Sequence, residues 1–163
     1  MTRLEAIQKK ILKQPELGRL LAYWRFTNQK LVFTNGCFDI IHLGHIDYLA
    51  RAASLGTRLL IGLNTDASTR RLKGPTRPIN DQHARAMVLA AMSFVDAVVL
   101  FDEDTPLGLI RIVQPDVLVK GADYKPEDIV GYDVVTEGGG RVETMEFLPG
   151  YSTSLIEKRI RNT

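Results

Sequence analysis

Short apolar runs alternate along this chain with segments in which apolar residues recur every three or four positions. The short runs are typical of buried strands, and the longer spacing is typical of amphipathic helices. The runs predict five strands, at residues 31–34, 58–63, 97–101, 117–119 and 141–147. The helical spacing predicts helices at 43–55, 66–72 and 81–92, with further helices starting at 104–106 and 151–154. Because strands alternate with helices, we expect an α/β fold with a doubly wound, five-stranded parallel sheet and right-handed crossovers.

The N-terminal part of the chain predicts helix rather than strand. Residues 3–26 have amphipathic spacing that is interrupted near Gln14-Pro15, because proline disfavours the α conformation in the residue before it. We therefore expect one or two helices there, and divide the chain into a helical N-terminal extension, 1–28, and a main domain, 29–163. The segment 73–80 contains two prolines and a glycine, which predicts a loop.

The composition is that of one ordinary globular domain. The chain has 163 residues and a formal net charge of +2, which is too small to predict a nucleic-acid or membrane partner. The N-terminus lacks the apolar segment of a secretory signal. The single cysteine, Cys37, cannot form an internal disulfide, which agrees with a cytoplasmic location.

Polar clusters follow four of the predicted strands, at residues 34–45, 64–66, 120–124 and 151–154. In a parallel sheet the carboxyl ends of the strands lie along one edge, and ligands bind in the crevice outside that edge. We therefore expect these clusters to form a single active site.

The first cluster is the most informative one. His42 and His45 flank Gly44 at the point where a strand leads into a helix. A helix N-terminus presents unpaired N–H groups to phosphate oxygens, and a glycine lets the backbone approach a phosphate closely. Alternatives are a buried core histidine or a metal pair, although no His or Cys cluster supplies further ligands. The arrangement favours phosphate binding.

Other polar residues fit the same chemistry. Lys120 ends an apolar strand, where an ammonium group requires an anion or a path to water. Lys73 stands in a Gly/Pro loop, and Ser152 opens the last helix, where a simple N-cap is the alternative. No nucleophile–base pair accompanies them, which indicates catalysis by alignment and charge neutralisation rather than by covalent attack.

Residues 34–39 with the His-x-Gly-His string at 42–45 resemble the signature of the HxGH nucleotidyltransferase superfamily. Gly150–Ser154 resembles its second element, a hydroxyl-rich helix start. The segments 71–80, 101–106 and 116–121 are similar to one branch, the D-glycero-β-D-manno-heptose 1-phosphate adenylyltransferases. The resemblance covers residues 30 to 160, and it implies a Rossmann-like fold in which 29–163 is the nucleotidyltransferase domain.

The resemblance implies transfer of AMP from ATP to heptose 1-phosphate, giving ADP-heptose and pyrophosphate for lipopolysaccharide assembly. It also implies Mg²⁺ as cofactor, a sugar phosphate as second substrate, a separate heptose kinase in the same pathway, and a homodimer in which 3–26 could contact a neighbour. Alternatives are a cytidylyltransferase for glycerol or ethanolamine phosphate, an FMN adenylyltransferase, and a nucleotide-binding module without turnover.

The superfamily motifs assign roles to individual positions. The implied catalytic groups are His42, His45, Lys73 and Lys120. The implied nucleotide-binding residues are Thr34, Asn35, Gly36, Phe38, Gly44, Arg85, Gly121, Tyr151, Ser152, Thr153 and Ser154. The implied contacts to the sugar phosphate, the ribose or a metal are Asp39, Asn64, Asp66 and Asp123, and Asp39 is the candidate for Mg²⁺.

The chain departs from the family pattern at two positions. Ala84 stands where the branch usually has aspartate, so any role of that carboxylate is absent, although Arg85 remains. The segment 147–149 lacks the arginine that cytidylyltransferases carry before their Ser-Thr element. This absence disfavours a cytidylyltransferase and places more of the phosphate neutralisation on Lys120 and Arg85.

Overall fold

The computed structural model describes residues 1–162. Its centre is a sheet in which every neighbouring pair of strands is parallel, in the order β1-β4-β3-β2-β5-β6. The strands are β1 Ile11–Leu12, β2 Leu31–Gly36, β3 Arg58–Asn64, β4 Ala97–Phe101, β5 Val117–Gly121 and β6 Arg141–Met145. The predicted α/β class with a parallel sheet is confirmed, and the five predicted strands are joined by a sixth.

The helices connect these strands. They are α1 Arg3–Gln8, α2 Gln14–Phe26, α3 Leu43–Ala53, α4 Asp66–Lys73, α5 Gln82–Ala90, α6 Leu107–Val113, α7 Tyr132–Glu137 and α8 Thr153–Arg161, with a 3-10 helix at Pro126–Asp128. Short polar side chains cap four of them, because they satisfy N–H groups that the helix leaves unpaired. Thr2, Thr65, Asp81 and Ser152 accept from the N–H groups of Glu5, Ser68, Ala84 and Leu155.

Both faces of the sheet are covered. Val32 and Phe33 are adjacent in β2, yet they belong to different apolar clusters, because successive side chains of a strand point to opposite faces. One cluster includes Trp24 of α2, and the other includes Leu49 of α3 and Leu89 of α5. The chain is therefore doubly wound, as predicted.

The additional strand lies in the N-terminal segment, where only helices were expected. The segment does contain two helices, and the second begins at Gln14, where the sequence predicts the break. Between them Ile11 pairs with Val98 of β4, and the Lys10 ammonium donates to the Met92 carbonyl at 3.1 Å. Two residues are too few to give a recognisable strand pattern in the sequence. They are identified as a strand only by their pairing with the edge of β4. The boundary at residue 28 stays a prediction.

The strand order places the ligand-binding edge. From β2 the chain moves outwards to β3 and β4, and it then returns to lay β5 on the other side of β2. The crevice outside the carboxyl ends of strands at such a reversal is the usual binding position in open α/β sheets. In the described residues 1–162, no helix is both long and apolar enough to span a bilayer.

Candidate active site

A cavity of about 460 Å³ opens where β2 and β5 end. Four strand-end residues line it, Asn35 and Gly36 from β2 and Lys120 and Gly121 from β5. Eight further predicted residues share the wall: Phe38, Asp39, His45, Asn64, Lys73, Asp123, Thr153 and Ser154. The carboxyl edge thus brings together side chains from all four polar clusters of the sequence.

The two histidines form a stacked pair at the start of α3. Their ring centroids are 3.9 Å apart with an interplanar angle of 27°, and Phe38 contacts His45 edge-on at 5.4 Å. His45 lines the cavity. His42 does not line it, but its ring stacks on the ring of His45. His42 is also the N-cap residue of α3, but its side chain makes no capping hydrogen bond. The N-terminus of α3 therefore has no side chain closing it against an anion.

Burial keeps both imidazoles neutral near pH 7. It lowers the pKa of His42, and it lowers the pKa of His45 to about 4, with help from the charges of His42 and Lys73. The Nδ1 atoms of both rings are buried without a hydrogen-bond partner among the described residues. A neutral imidazole offers one donor and one acceptor, so each ring can donate one hydrogen bond without carrying a positive charge.

Gly44 joins the histidine motif to the C-terminal turn. A Cβ built on Gly44 would lie 3.1 Å from the His42 ring and 3.2 Å from the Cβ of Tyr151. The two superfamily elements, more than 100 positions apart in the sequence, are therefore in van der Waals proximity. Gly44 and Tyr151 do not line the cavity themselves, and their nucleotide-binding role stays a prediction.

Lys120 and Asn35 bring unpaired polar atoms to the cavity wall. Burial lowers the pKa of Lys120 to about 8, and within residues 1–162 no hydrogen bond or ion pair involves its ammonium group. The Oδ1 atom of Asn35 is buried and likewise has no partner there. Buried polar groups are normally satisfied because leaving them unpaired is costly. These two therefore indicate that the cavity takes a polar, anionic ligand.

Asp39 organises the loop after α4. Its carboxylate accepts hydrogen bonds from the N–H groups of Ile79 and Asn80, each at 2.9 Å, and from the Arg77 guanidinium at 2.8 Å. Burial raises the pKa of Asp39, but these donors outweigh it and hold the pKa below its usual value. Arg77 also pairs with Glu157 of α8. One arginine thus ties the histidine turn, the loop and the last helix together.

This bonding corrects the expectation that Asp39 is available to Mg²⁺. Both of its oxygens already accept hydrogen bonds from the loop. Across residues 1–162, moreover, no group of three or more His, Cys, Asp or Glu side chains could hold a metal ion. The described residues therefore do not form a metal cage around the two histidines.

Arg85 and Asp66 are corrected as well. The Arg85 side chain is 0% exposed, and it donates to the Cys37 carbonyl at 2.6 Å, the Asn80 carbonyl at 3.0 Å and Asp66 at 2.7 Å. Neither partner of this ion pair lines the cavity. Because the Arg85 side chain is fully buried and lies outside the cavity wall, it does not reach a phosphate there, and its hydrogen bond to the Cys37 carbonyl supports the turn after β2.

Two predicted hydroxyls have structural contacts instead of facing the cavity. Thr34 is fully buried, and its hydroxyl is hydrogen-bonded to Tyr48 at 2.9 Å. The Ser152 hydroxyl caps α8 by accepting from the Leu155 N–H at 3.2 Å. The next residues, Thr153 and Ser154, are the ones that reach the cavity.

The family profile described as "Cytidylyltransferase-like" matches residues 33–159. The chain belongs to the cytidylyltransferase-like family. The match begins in β2 and ends in α8, so it includes every element that contributes to the cavity. The resemblance to HxGH nucleotidyltransferases is thereby confirmed.

Several named proteins are similar to this chain over most of its length. "Bifunctional protein HldE" of Wolinella succinogenes is 51% identical over 96% of this chain, and that of Campylobacter jejuni is 54% identical over 95%. In each case the chain spans 32% of the relative's length. A solved structure titled "lipopolysaccharide core biosynthesis protein", from Thermoplasma volcanium, has a TM-score of 0.58 and 28% identity, covering 74% of this chain and 97% of that one.

Several residues of this cytidylyltransferase-like site were missed from the sequence. Arg77, Tyr48, Tyr124 and Phe147 all line the cavity. Tyr48 lies four positions after Gly44 in α3, so helical spacing would have found it. Phe147 packs against Tyr48 with ring centroids 5.4 Å apart, a contact between distant segments that local pattern does not reveal.

Proposed function

We propose that this chain transfers AMP from ATP to D-glycero-β-D-manno-heptose 1-phosphate, giving ADP-heptose and pyrophosphate. The observation that carries the proposal is the cavity at the β2/β5 edge, where a neutral histidine pair meets an unpaired lysine. The names of the HldE relatives and of the lipopolysaccharide core protein support this substrate over the glycerol, ethanolamine and FMN alternatives.

The chemistry requires little from the protein beyond alignment and charge neutralisation. A phosphate oxygen of the sugar phosphate attacks the α-phosphorus of ATP, a new P–O bond forms, and the bond to the β-phosphate oxygen breaks. Pyrophosphate carries away the electron pair of that bond. The attacking phosphate is already an anion, so no general base is needed. Preorganised donors that meet the charge developing on the phosphate oxygens then dominate catalysis.

The described residues can be assigned to these tasks. His45 donates to a phosphate oxygen at the N-terminus of α3. His42, which stacks on His45, donates to a phosphate oxygen at the same helix end. Lys73 and Lys120 bring positive charge to the same cavity. Thr153, in the first turn of α8, supplies a hydroxyl for the outer phosphates. These groups come from four separate segments, so correct folding of the edge is itself what aligns the reactants.

The remaining expectations belong to the same proposal. Mg²⁺ would arrive on the triphosphate, where it usually keeps most of its ligands as water and phosphate, because the described residues 1–162 form no cage for it. The relatives are called bifunctional, so we propose that a second part of such a chain, rather than a separate kinase, supplies the sugar phosphate. A homodimer and a cytoplasmic location stay predictions.

Pyrophosphate release tests the proposal. ATP and CTP are each offered with heptose 1-phosphate, glycerol phosphate and ethanolamine phosphate, and release is expected for the ATP and heptose 1-phosphate combination. His42→Ala and His45→Ala should each lower kcat by about 10²- to 10³-fold with unchanged far-UV circular dichroism. His83→Ala, at an exposed position outside the cavity, is the matched control.

Two outcomes would contradict the proposal. Release with CTP and glycerol phosphate alone would assign a different reaction to the same site. Binding of ATP without pyrophosphate release for any acceptor would make the chain a nucleotide-binding module.

A further inference from the structure

A second, smaller cavity adjoins the first one. It has a volume of about 200 Å³ and is lined by Pro106, Lys120, Tyr124, Asp128, Ile129 and Val130. Lys120 and Tyr124 line both cavities, so their side chains form the boundary between them. The two histidines do not line the second cavity.

The polar groups of this cavity are unpaired and opposite in charge. Lys120 is the only cationic residue among those that line it, and the ammonium group makes no hydrogen bond or ion pair within residues 1–162. Asp128 is an exposed residue whose N–H donates to the Lys125 carbonyl at 3.0 Å, while its carboxylate takes part in no ion pair or hydrogen bond with any described residue. Buried Ile129 and Pro106 supply an apolar surface between them.

Charge decides how an anion would sit here. A phosphate at the Asp128 end would meet a like charge, whereas at the Lys120 end it would meet an unpaired cation. A carboxylate is an acceptor-only group, so it suits the hydroxyl groups of a neutral substituent. The cavity therefore fits a small phosphorylated polyol that points its phosphate towards Lys120 and its hydroxyls towards Asp128.

The volumes of the two cavities also indicate which ligand each can hold. Sites for drug-sized ligands enclose about 300–1,000 Å³, a range that includes the first cavity at about 460 Å³ and excludes the second at about 200 Å³. Of these two cavities, the first is therefore the one large enough for a nucleoside triphosphate. A sugar phosphate in the second would present its phosphate at the shared lysine, next to the triphosphate.

We propose that the cavity lined by Asp128, Ile129 and Val130 is the acceptor subsite, and that Asp128 is its specificity-determining residue. The inference rests on the proposed function, because it assigns the sugar phosphate to one cavity and the nucleotide to the other. Asp128 recognises acceptor hydroxyls, Lys120 receives the acceptor phosphate, and the phosphate then lies at the boundary across which the transfer takes place.

Asp128→Asn tests the assignment, with Glu127→Gln as the matched control. Glu127 is the exposed neighbour in the same 3-10 helix and lines neither cavity. Losing a hydrogen bond to a charged group is expected to raise the KM for heptose 1-phosphate about tenfold in Asp128→Asn. The KM for ATP should not change in either variant, and Glu127→Gln should match the wild type throughout.

A second variant tests the space rather than the charge. Val130 is 39% exposed at the cavity wall, so Val130→Trp should fill the cavity without disturbing the core. We expect it to weaken heptose 1-phosphate binding by titration calorimetry in the presence of a non-hydrolysable ATP analogue, while binding of the analogue itself is retained. Inorganic phosphate, which lacks hydroxyl-bearing carbons, should bind equally to the wild type and to Asp128→Asn.

The outcomes separate this inference from the proposed function. If the wild type turns over heptose 1-phosphate and both variants keep its KM, the subsite is wrong and the function stands. An equal rise in the KM for ATP and for the acceptor would also overturn the subsite, because it would indicate a general disturbance. If the wild type neither binds nor turns over heptose 1-phosphate, the proposed function fails and the inference fails with it.

Discussion

Acidification should destabilise the ligand-free protein through His45. Burial and the neighbouring charges of His42 and Lys73 lower its folded-state pKa from 6.5 to about 4. The unfolded chain therefore binds the proton more readily, so this contribution to stability is present above about pH 6.5 and is lost as the pH falls towards 4. With these two pKa values, linkage gives a loss of about 2 kcal/mol between about pH 7 and about pH 5.

Urea denaturation at the two pH values measures this loss. Carboxylates also titrate in this range, so the decisive quantity is the difference between the wild type and His45→Gln, which cannot titrate at this position. We expect the free energy of unfolding to fall about 2 kcal/mol more in the wild type than in His45→Gln. His83→Gln, at an exposed position, should behave as the wild type.

Parallel pH dependences in the wild type and His45→Gln would refute the reasoning, because the buried ring would then have no depressed pKa. Saturating ATP provides an independent check. A polyphosphate beside the imidazole favours its charged form, so the bound nucleotide should reduce the extra acid sensitivity of the wild type.

Three further changes probe the other contacts. Gly44→Ala places a methyl group 3.1 Å from the His42 ring, so we expect kcat to fall about tenfold or more with little change in Tm, and an unchanged kcat would contradict the role of this close contact. Asp66→Asn leaves the buried Arg85 without its ionic partner, and should lower stability by about 2 kcal/mol, or Tm by about 5 °C, in a thermal melt. Lys120→Met removes an unpaired, largely buried cation, so Tm should hold or rise while turnover is lost; a lower Tm with normal turnover would make Lys120 structural.

The fold was largely predictable because its central strands are buried on both faces. A parallel strand covered on both sides is a continuous apolar run, and β2 to β5 contain such runs, whereas β6 is only partly buried. The polar segments after those strands then had only one edge on which to meet. By contrast, β1 has two residues and depends on β4 for its hydrogen bonds, so no local pattern marks it.

The site was predictable in its location but less so in the role of each residue. His45, Lys73 and Lys120 reach the cavity as the motifs indicate. Arg85 does not, because its buried guanidinium donates to two carbonyl groups and to Asp66 away from the cavity. A sequence shows that an arginine is present, but not whether distant groups will already occupy its donors. For the same reason the sequence did not predict that Arg77 pairs with both Asp39 and Glu157.

The last helix has a consequence for how this protein becomes active. None of the residues of α8 in the described chain is buried, yet Thr153 and Ser154 complete the cavity wall and Glu157 pairs with Arg77. The apolar interior therefore does not depend on α8. A chain cut short before residue 153 should fold as a stable scaffold and yet fail to hold a nucleotide, so folding and competence for ligand are separable in this protein.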